Sequence, residues 1–298
     1  MTSNSKHVRR PTLACEIAAD RVLAGRAADA GRMVEMAAAR ELAPGMVVPD
    51  LMEANLRDGT AIRQAIESAL GSVSGRSRDV IAILPDTAVR VVLLDFETLP
   101  PKRDEAEAVV RFRLKKSLPF DPADARISYH AQSNGKGVRA VAAVVLNTVL
   151  AEYESAFRDA GYNPGVVMPS MLAALGAADA ERPTLVVKVD ARTISIAILD
   201  QEQLLLFRTL ENVRGVTITG DQLAEEVYPS VVFFQDTYKL NIERVYVAGL
   251  PEAGGAASAL KNQSGAHVEE LIATSQIGST TGTVPRWRMA GVVGALIS

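Results

Sequence analysis

The sequence predicts an α/β protein made of two similar halves, with a smaller α+β subdomain inserted in the first half. Residues 12–19 align without gaps to residues 184–191, and both stretches are rich in apolar side chains. Each stretch opens a run in which three predicted strands are followed by a helix. Because the matched stretch is short and mostly apolar, chance similarity between two buried strands is the alternative explanation.

The block between the two halves has a different order of elements. Its pattern predicts strand, helix, strand, strand and helix, which is the order of a compact α+β subdomain. We therefore expect the first half to span residues 1–84, the inserted block 85–165 and the second half 166–298. The last predicted helix, 286–297, carries apolar residues at core spacing, so we expect it to pack back on the core.

Composition excludes several classes of function. With 32 basic and 35 acidic residues the formal charge is −3, so no general attraction to nucleic acid is predicted. The single cysteine, Cys15, excludes an intramolecular disulfide and a cysteine-rich zinc site. The three histidines lie far apart and lack the spacing of a helical metal pair, so no metal site is predicted.

The location of the protein is predicted from its apolar runs. Residues 1–10 are polar and basic and are not typical of a secretory signal. The longest apolar runs, 138–150 and 291–297, are shorter than the roughly 20 residues that span a bilayer. We therefore expect a soluble, cytoplasmic protein whose association with a membrane is through a partner.

The segment from Leu99 to Phe120 carries the most specific motif in the chain. It contains a Leu-Pro pair, a helix rich in charged residues and a closing Leu-Pro-Phe corner. Together with Leu84-Pro-Asp and the apolar run 290–297, it resembles the PilM family of type IV pilus assembly proteins. That family is a branch of the actin-like ATPase superfamily. The resemblance implies an actin-like (ribonuclease H-like) two-domain fold and a scaffold or adaptor role in pilus assembly.

The same alignment exposes departures from the nucleotide-binding pattern. ATP-binding members of the superfamily have Asp-x-Gly after the first strand of each half, where the carboxylate organises Mg²⁺ and the glycine admits the phosphates. The positions that correspond to the nucleotide site are Glu16, Ala18, Lys188, Asp190, Ala191, Gly249 and Leu250. A lysine would repel Mg²⁺, an aspartate would repel a triphosphate, and a leucine would obstruct an adenosine.

These departures predict a degenerate site with no cofactor and no catalytic residues. The alternative is an active actin-like ATPase in which Mg-ATP controls partner binding or polymerisation, because the resemblance also implies ATP and Mg²⁺. The alignment places Glu16 and Lys188 at equivalent positions facing each other across the cleft. One hypothesis is that they form a salt bridge in place of Mg²⁺; the alternative is that Lys188 extends out of the cleft.

The charged helix of the inserted block supplies the candidates for partner binding. A helix is predicted over Asp104–Ser117, with its core stripe formed by Ala106, Val109, Val110 and Leu114. Phe112 lies off this stripe, as either a partner contact or a core residue under a second layer. PilM-like proteins hold the N-terminal segment of PilN in a groove between the first domain and the inserted subdomain. By that resemblance the candidates are Phe112, Leu118, Pro119 and Phe120; the alternative for the last three is that they only set the exit angle of the helix.

Overall fold

The computed structural model describes residues 10–29, 31–73, 75–133, 135, 137–251, 253–278 and 284–298. The prediction about a signal in residues 1–10 therefore lies outside the described residues, except for Arg10. The strands are β1 (Leu13–Ile17), β2 (Arg21–Ala27), β3 (Val34–Glu41), β4 (Asp79–Leu84), β5 (Arg90–Phe96), β6 (Ala125–Ser133), β7 (Val138–Leu146), β8 (Asn163–Pro169), β9 (Thr184–Val189), β10 (Thr193–Asp200), β11 (Gln203–Glu211), β12 (Arg244–Ala248) and β13 (His267–Glu270). The α-helices are α1 (Gly59–Val73), α2 (Arg103–Leu114), α3 (Asn147–Asp159), α4 (Ser170–Ala174), α5 (Gly220–Tyr238), α6 (Ala253–Ser264) and α7 (Ala290–Ile297).

The two halves have the same strand order. The first sheet runs β3-β2-β1-β4-β8 and the second runs β11-β10-β9-β12-β13. The central strands β1 and β9 each pair antiparallel on one side and parallel on the other. They are buried along their whole length, which explains their continuous apolar sequences. The repeat predicted from residues 12–19 and 184–191 is therefore the start of two equivalent sheets.

Helices fill three layers around the two sheets. In the first half, α1 and α3 contribute apolar side chains to one core with the sheet. In the second half, α5 and α6 do the same on the outer face of its sheet. A third core lies between the sheets and contains the buried side chains of α4 and α7. The helix predicted at 286–297 begins as a 3-10 turn at Arg286–Arg288 and continues as α7, which contacts β1 and β2 of the first half.

The block predicted as an insert at 85–165 divides differently in the structure. Strands β5, β6 and β7 form a separate sheet that packs on α2; we call this unit the three-stranded subdomain. Helix α3 buries Tyr153 and Phe157 in the first-half core instead, and β8 pairs with β4 in the first sheet. The sequence gives only a weak strand signal for β8, because the strand contains Pro164, Gly165 and Pro169.

One local prediction is wrong. Val109 was expected in the core stripe of α2, but it is 37% exposed, whereas Ala106, Val110 and Leu114 are buried. These three buried residues are spaced four positions apart and face the sheet of β5, β6 and β7, and Val109 lies to one side of that row. Among the described residues, no helix is both long and apolar enough to cross a bilayer.

Candidate functional site

A cluster of buried charged side chains lies where the two halves meet. Glu16 comes from β1 and Lys188 from the equivalent position of β9, and the two residues are only 1% and 2% exposed. Lys188 Nζ lies 3.7 Å from Glu16 Oε1. The ion pair proposed from the repeat is therefore present, and Lys188 does not extend out of the cleft.

Lys188 is shared between carboxylates. Its ammonium group donates a hydrogen bond to Asp190 Oδ2, and the other oxygen of Asp190 lies 3.5 Å from Arg21 Nη2. Arg21 also pairs with Asp20 at 2.8 Å. Burial alone would lower the pKa of Lys188, but the negative charges of Asp190, Glu16 and Asp86 raise it. Burial would likewise raise the pKa of Asp190, but Lys188 and Arg21 lower it, so both groups stay charged at neutral pH.

The carboxylate of Glu16 is held from two further directions. Ser170 Oγ, at the start of α4, donates a hydrogen bond to Glu16 Oε1. A Cβ atom on Gly291, in α7, would lie 3.1 Å from the carboxyl group, so the absence of a side chain there makes room for it. Within the described residues Glu16 Oε2 has no hydrogen-bond partner. The first-half carboxylate thus packs against both helices of the central core.

Asp86, just after β4, joins the two halves directly. Its carboxylate accepts a hydrogen bond from the Met171 amide of α4, at 2.8 Å, and one from Ser195 Oγ of β10 in the second half, at 2.6 Å. Asp86 is 3% exposed, and burial raises its pKa to about 6, against the opposing effects of Lys188 and these two hydrogen bonds. We use the name charge cluster for Glu16, Arg21, Asp86, Lys188 and Asp190.

Little empty space remains at the charge cluster. The cavity beside it has a volume of about 20 Å³, which is room for about one water molecule. Ala18 and Ala191, two of the predicted nucleotide-site residues, line it together with Glu16 and Asp190. Among the described residues, no group of three or more histidine, cysteine or acidic side chains is arranged to hold a metal ion.

A larger groove adjoins this cavity, and the two linings share Pro49, Asp86, Thr87 and Arg192. It has a volume of about 550 Å³ and runs between β5 and the end of β11. Three arginines line it, namely Arg90, Arg192 and Arg208. Sequence reasoning did not predict this groove, because its walls come from the first half, the three-stranded subdomain and the second half.

The remaining two nucleotide-site positions, Gly249 and Leu250, pack against other parts of the second half. Gly249 has φ +85°, and a Cβ atom on it would lie 1.7 Å from the backbone oxygen of Val189. Its amide donates to the Trp287 carbonyl oxygen at 2.9 Å. Leu250 is 4% exposed and belongs to the second-half core. Neither residue lines the cavity or the groove beside the charge cluster.

The predicted partner-binding residues lie on the three-stranded subdomain. Phe112 is 75% exposed on α2. Leu118 and Phe120 are partly buried against the core of the subdomain, and Pro119 between them is exposed. A groove of about 930 Å³ runs between α2 and β6, and its lining residues are Arg103, Glu107, Arg111, Ala123, Ala125, Arg126, Ile127, Ser128, Tyr129 and Asn147. None of the four predicted residues lines that groove, and their role stays a prediction.

Comparison with solved structures identifies the fold. The chain superimposes on a chain of the PilM-PilN type IV pilus biogenesis complex with a TM-score of 0.81 and 20% identity, over 97% of this chain and 98% of that chain. It is also similar to the cytoplasmic domain of EpsL, an inner membrane component of the type II secretion system of Vibrio cholerae, with a TM-score of 0.54 and 12% identity over 96% and 94% of the two chains. A Bacteroides thetaiotaomicron protein with an actin-like ATPase fold matches with a TM-score of 0.53 and 9% identity, over 94% of this chain and 93% of that one. The fold is actin-like.

The actin-like fold confirms the fold class predicted from the sequence. Sequence comparison alone finds no matching family model and no matching curated protein. Within this actin-like fold, sequence reasoning found Glu16, Lys188 and Asp190 through the repeat. It missed the roles of Ser170 and Ser195, because lone serines carry no signal before their distant partners are known.

Proposed function

We propose that this protein is a cytoplasmic scaffold or adaptor of type IV pilus assembly that binds the N-terminal segment of a PilN-like inner-membrane protein. The observation that carries the proposal is the match along 97% of the chain to a chain of the PilM-PilN complex, at a TM-score of 0.81. The protein would reach the membrane through that partner and would also contact other proteins of the pilus inner-membrane complex.

We further propose that the adaptor works without nucleotide hydrolysis. The residues of the charge cluster do not fit Mg-ATP. Lys188 stands where a metal-binding carboxylate would be needed, and its Nζ already pairs with Glu16 at 3.7 Å, so it would repel Mg²⁺. Asp190 would repel a phosphate. The adjoining cavity of about 20 Å³ is far below the several hundred Å³ of ordinary ligand sites. The side chain of Leu250 lies in the second-half core, where adenosine would need close backbone approach.

The groove between α2 and β6 is a candidate place for the peptide. Strand β6 is at the edge of the small sheet, so an extended segment can lie beside it. The groove has both apolar and charged walls, including Tyr129 and Arg111. Leu118 and Phe120 support the end of α2 from within the subdomain core. Phe112 would contact the part of the peptide that leaves the groove.

The test is a titration of the protein with a labelled peptide of the PilN-type N-terminal sequence, followed by fluorescence anisotropy. Ser128→Trp should fill the groove and weaken binding at least about tenfold, because Ser128 is exposed and lines it. His130→Trp is the matched control, since His130 is exposed on the same strand but does not line the groove. Phe112→Ala should weaken binding about fivefold. No peptide binding by the wild type would overturn the proposal, and unchanged affinity in both Ser128→Trp and Phe112→Ala would remove the assigned site.

The groove beside the charge cluster favours a second candidate function, an active actin-like ATPase. Its volume of about 550 Å³ suits a ligand of nucleotide size, and its three arginines can contact phosphates beside the three acidic residues of the lining, Asp50, Asp86 and Glu211. Calorimetry with Mg-ATP separates the two functions. Micromolar binding that Arg192→Ala abolishes would favour the ATPase, whereas no detectable heat favours the nucleotide-free adaptor.

A further inference from the structure

The outward face of α2 combines exposed apolar and basic side chains. The helix packs inward through Ala106, Val110 and Leu114. On the other side Val109 is 37% exposed and Phe112 is 75% exposed. A phenylalanine exposed to this degree gains little from apolar burial, and contact with another apolar surface would recover that free energy.

Cations surround this aromatic residue. Residues 108–116 contain four basic residues and no acidic one. Arg111 is turned towards the subdomain, because it pairs with Glu107 at 3.1 Å and donates to the Pro122 carbonyl oxygen at 2.5 Å. The other three are exposed, and no ion pair among the described residues involves them: Arg113, Lys115 and Lys116. We call Val109, Phe112, Arg113, Lys115 and Lys116 the basic face.

We propose that the basic face docks directly on an anionic lipid surface. Three cations would contact lipid phosphates while Phe112 enters the boundary between headgroups and acyl chains, as amphipathic surface helices do. A bilayer is favoured over an acidic peptide by shape. Phe112 lies on the convex outer side of a helix and lines none of the described grooves. A peptide needs a groove to bury its side chains, whereas a bilayer supplies its own apolar layer.

The acidic residues of α2 do not cancel this charge. Asp104 and Glu105 lie in the first turn of the helix, and Glu105 pairs with Lys102 at 3.0 Å. The basic residues lie in the last turn and just beyond it. The contact is therefore expected at the C-terminal end of α2. It shares Phe112 with the proposed peptide site, but Arg113, Lys115 and Lys116 do not line the peptide groove, so reversing their charge tests the lipid contact alone.

The experiment is sedimentation of the full chain with vesicles of phosphatidylcholine alone or mixed with phosphatidylglycerol. We expect binding only to the mixed vesicles, and weaker binding at high salt, because salt screens exposed charges. Arg113→Glu/Lys115→Glu/Lys116→Glu should lower the partition coefficient at least about tenfold. Phe112→Ala should lower it about fivefold at unchanged charge.

The control reverses the same number of exposed charges elsewhere, in Arg32→Glu/Arg76→Glu/Lys261→Glu. Equal loss in both triple variants would overturn the proposal, since net charge alone would then explain binding. No binding of the wild type to mixed vesicles, or binding of an acidic peptide in its place, would also overturn it. Thermal unfolding of each variant checks that the fold is kept. The peptide titration above uses no vesicles, so failure of the adaptor proposal and failure of lipid docking are separate results.

Discussion

The two halves share a strand order but carry opposite charges at equivalent positions. Glu16 in β1 corresponds to Lys188 in β9, and Ala18 after β1 corresponds to Asp190 after β9. Because the two sheets face each other across a common core, these positions meet at the junction. Two identical carboxylates there would repel and would need a cation between them. With the charge inverted in one half, the halves neutralise each other.

The strand that follows the first helix differs between the halves in a second way. The register makes Leu84 at the end of β4 equivalent to Gly249 after β12, since Ile83 pairs with Glu16 as Ala248 pairs with Lys188. In the first half the chain continues through Pro85 and brings Asp86 to the junction. In the second half it turns at positive φ and directs Leu250 into its own core. The chain after β4 therefore bridges the two halves through Asp86, whereas the chain after β12 packs into the core of its own half through Leu250.

Gly249→Ala should break this difference with the largest effect. The new Cβ would lie 1.7 Å from the Val189 oxygen at φ +85°, so the backbone must move. We expect a loss of about 5 kcal/mol or more in the free energy of unfolding, measured with denaturant. Gly254→Ala is the control, because nothing lies within 4 Å of its Cβ and it is in α6. That change should stabilise the protein by up to about 1 kcal/mol; a similar loss for both variants would contradict the assigned role of Gly249.

Lys188→Met should have the next largest effect. It removes the cation that Glu16 and Asp190 share and leaves two carboxylates in a buried site. We expect a loss of about 3–5 kcal/mol in the free energy of unfolding at pH 7. The double variant Glu16→Gln/Lys188→Met should recover part of that loss, since one uncompensated charge is removed as well. The single variant Glu16→Gln completes the cycle. If the losses in unfolding free energy of the two single variants add up to that of the double variant, Glu16 and Lys188 are not coupled, and the charge-inversion argument fails.

The fold could be predicted further than the site. Strands β1 and β9 were found because fully buried central strands are continuous apolar runs, and α1 was found from its helical spacing. The edge strands β8 and β13 were missed. One carries two prolines and the other has four residues, so neither has a clear period. The helix α3 was predicted well but assigned to the wrong unit, because spacing shows which face is apolar and not what covers it.

The charge cluster was predicted only where the repeat reached. Glu16, Lys188 and Asp190 followed from the alignment of two strands. The bonds from Ser170 to Glu16 and from Ser195 to Asp86 join residues 154 and 109 positions apart. No local pattern encodes such a pair, because each serine alone suits a helix start or a strand equally well. Asp86 was noticed only as part of a Leu-Pro-Asp motif, without its role between the halves.

Asp86→Asn should change the pH dependence of stability, with the smallest effect of the three. Burial raises the pKa of Asp86 from 3.8 to about 6. Between these values the folded state holds a proton that the unfolded state has lost, so the contribution of Asp86 to stability falls as pH rises. Asp190, whose pKa is lowered, contributes in the opposite direction: its stabilisation is present above pH 3.8 and is lost as pH falls through its lowered pKa. The two carboxylates therefore act in opposite directions in different pH ranges, Asp86 between pH 3.8 and about 6 and Asp190 below pH 3.8.

The measurement is the difference in unfolding free energy between wild type and Asp86→Asn at several values between about pH 4 and pH 7. Relative to the wild type, the variant should gain about 2 kcal/mol across this range, because asparagine has no proton to lose. Ser195→Ala should act the other way. Removing a hydrogen bond to the charged carboxylate raises the pKa of Asp86 further, so the fall should extend to higher pH. A constant difference between wild type and Asp86→Asn at every pH would contradict the raised pKa, because Asp86 would then bridge the halves as a carboxylate that is charged throughout this range.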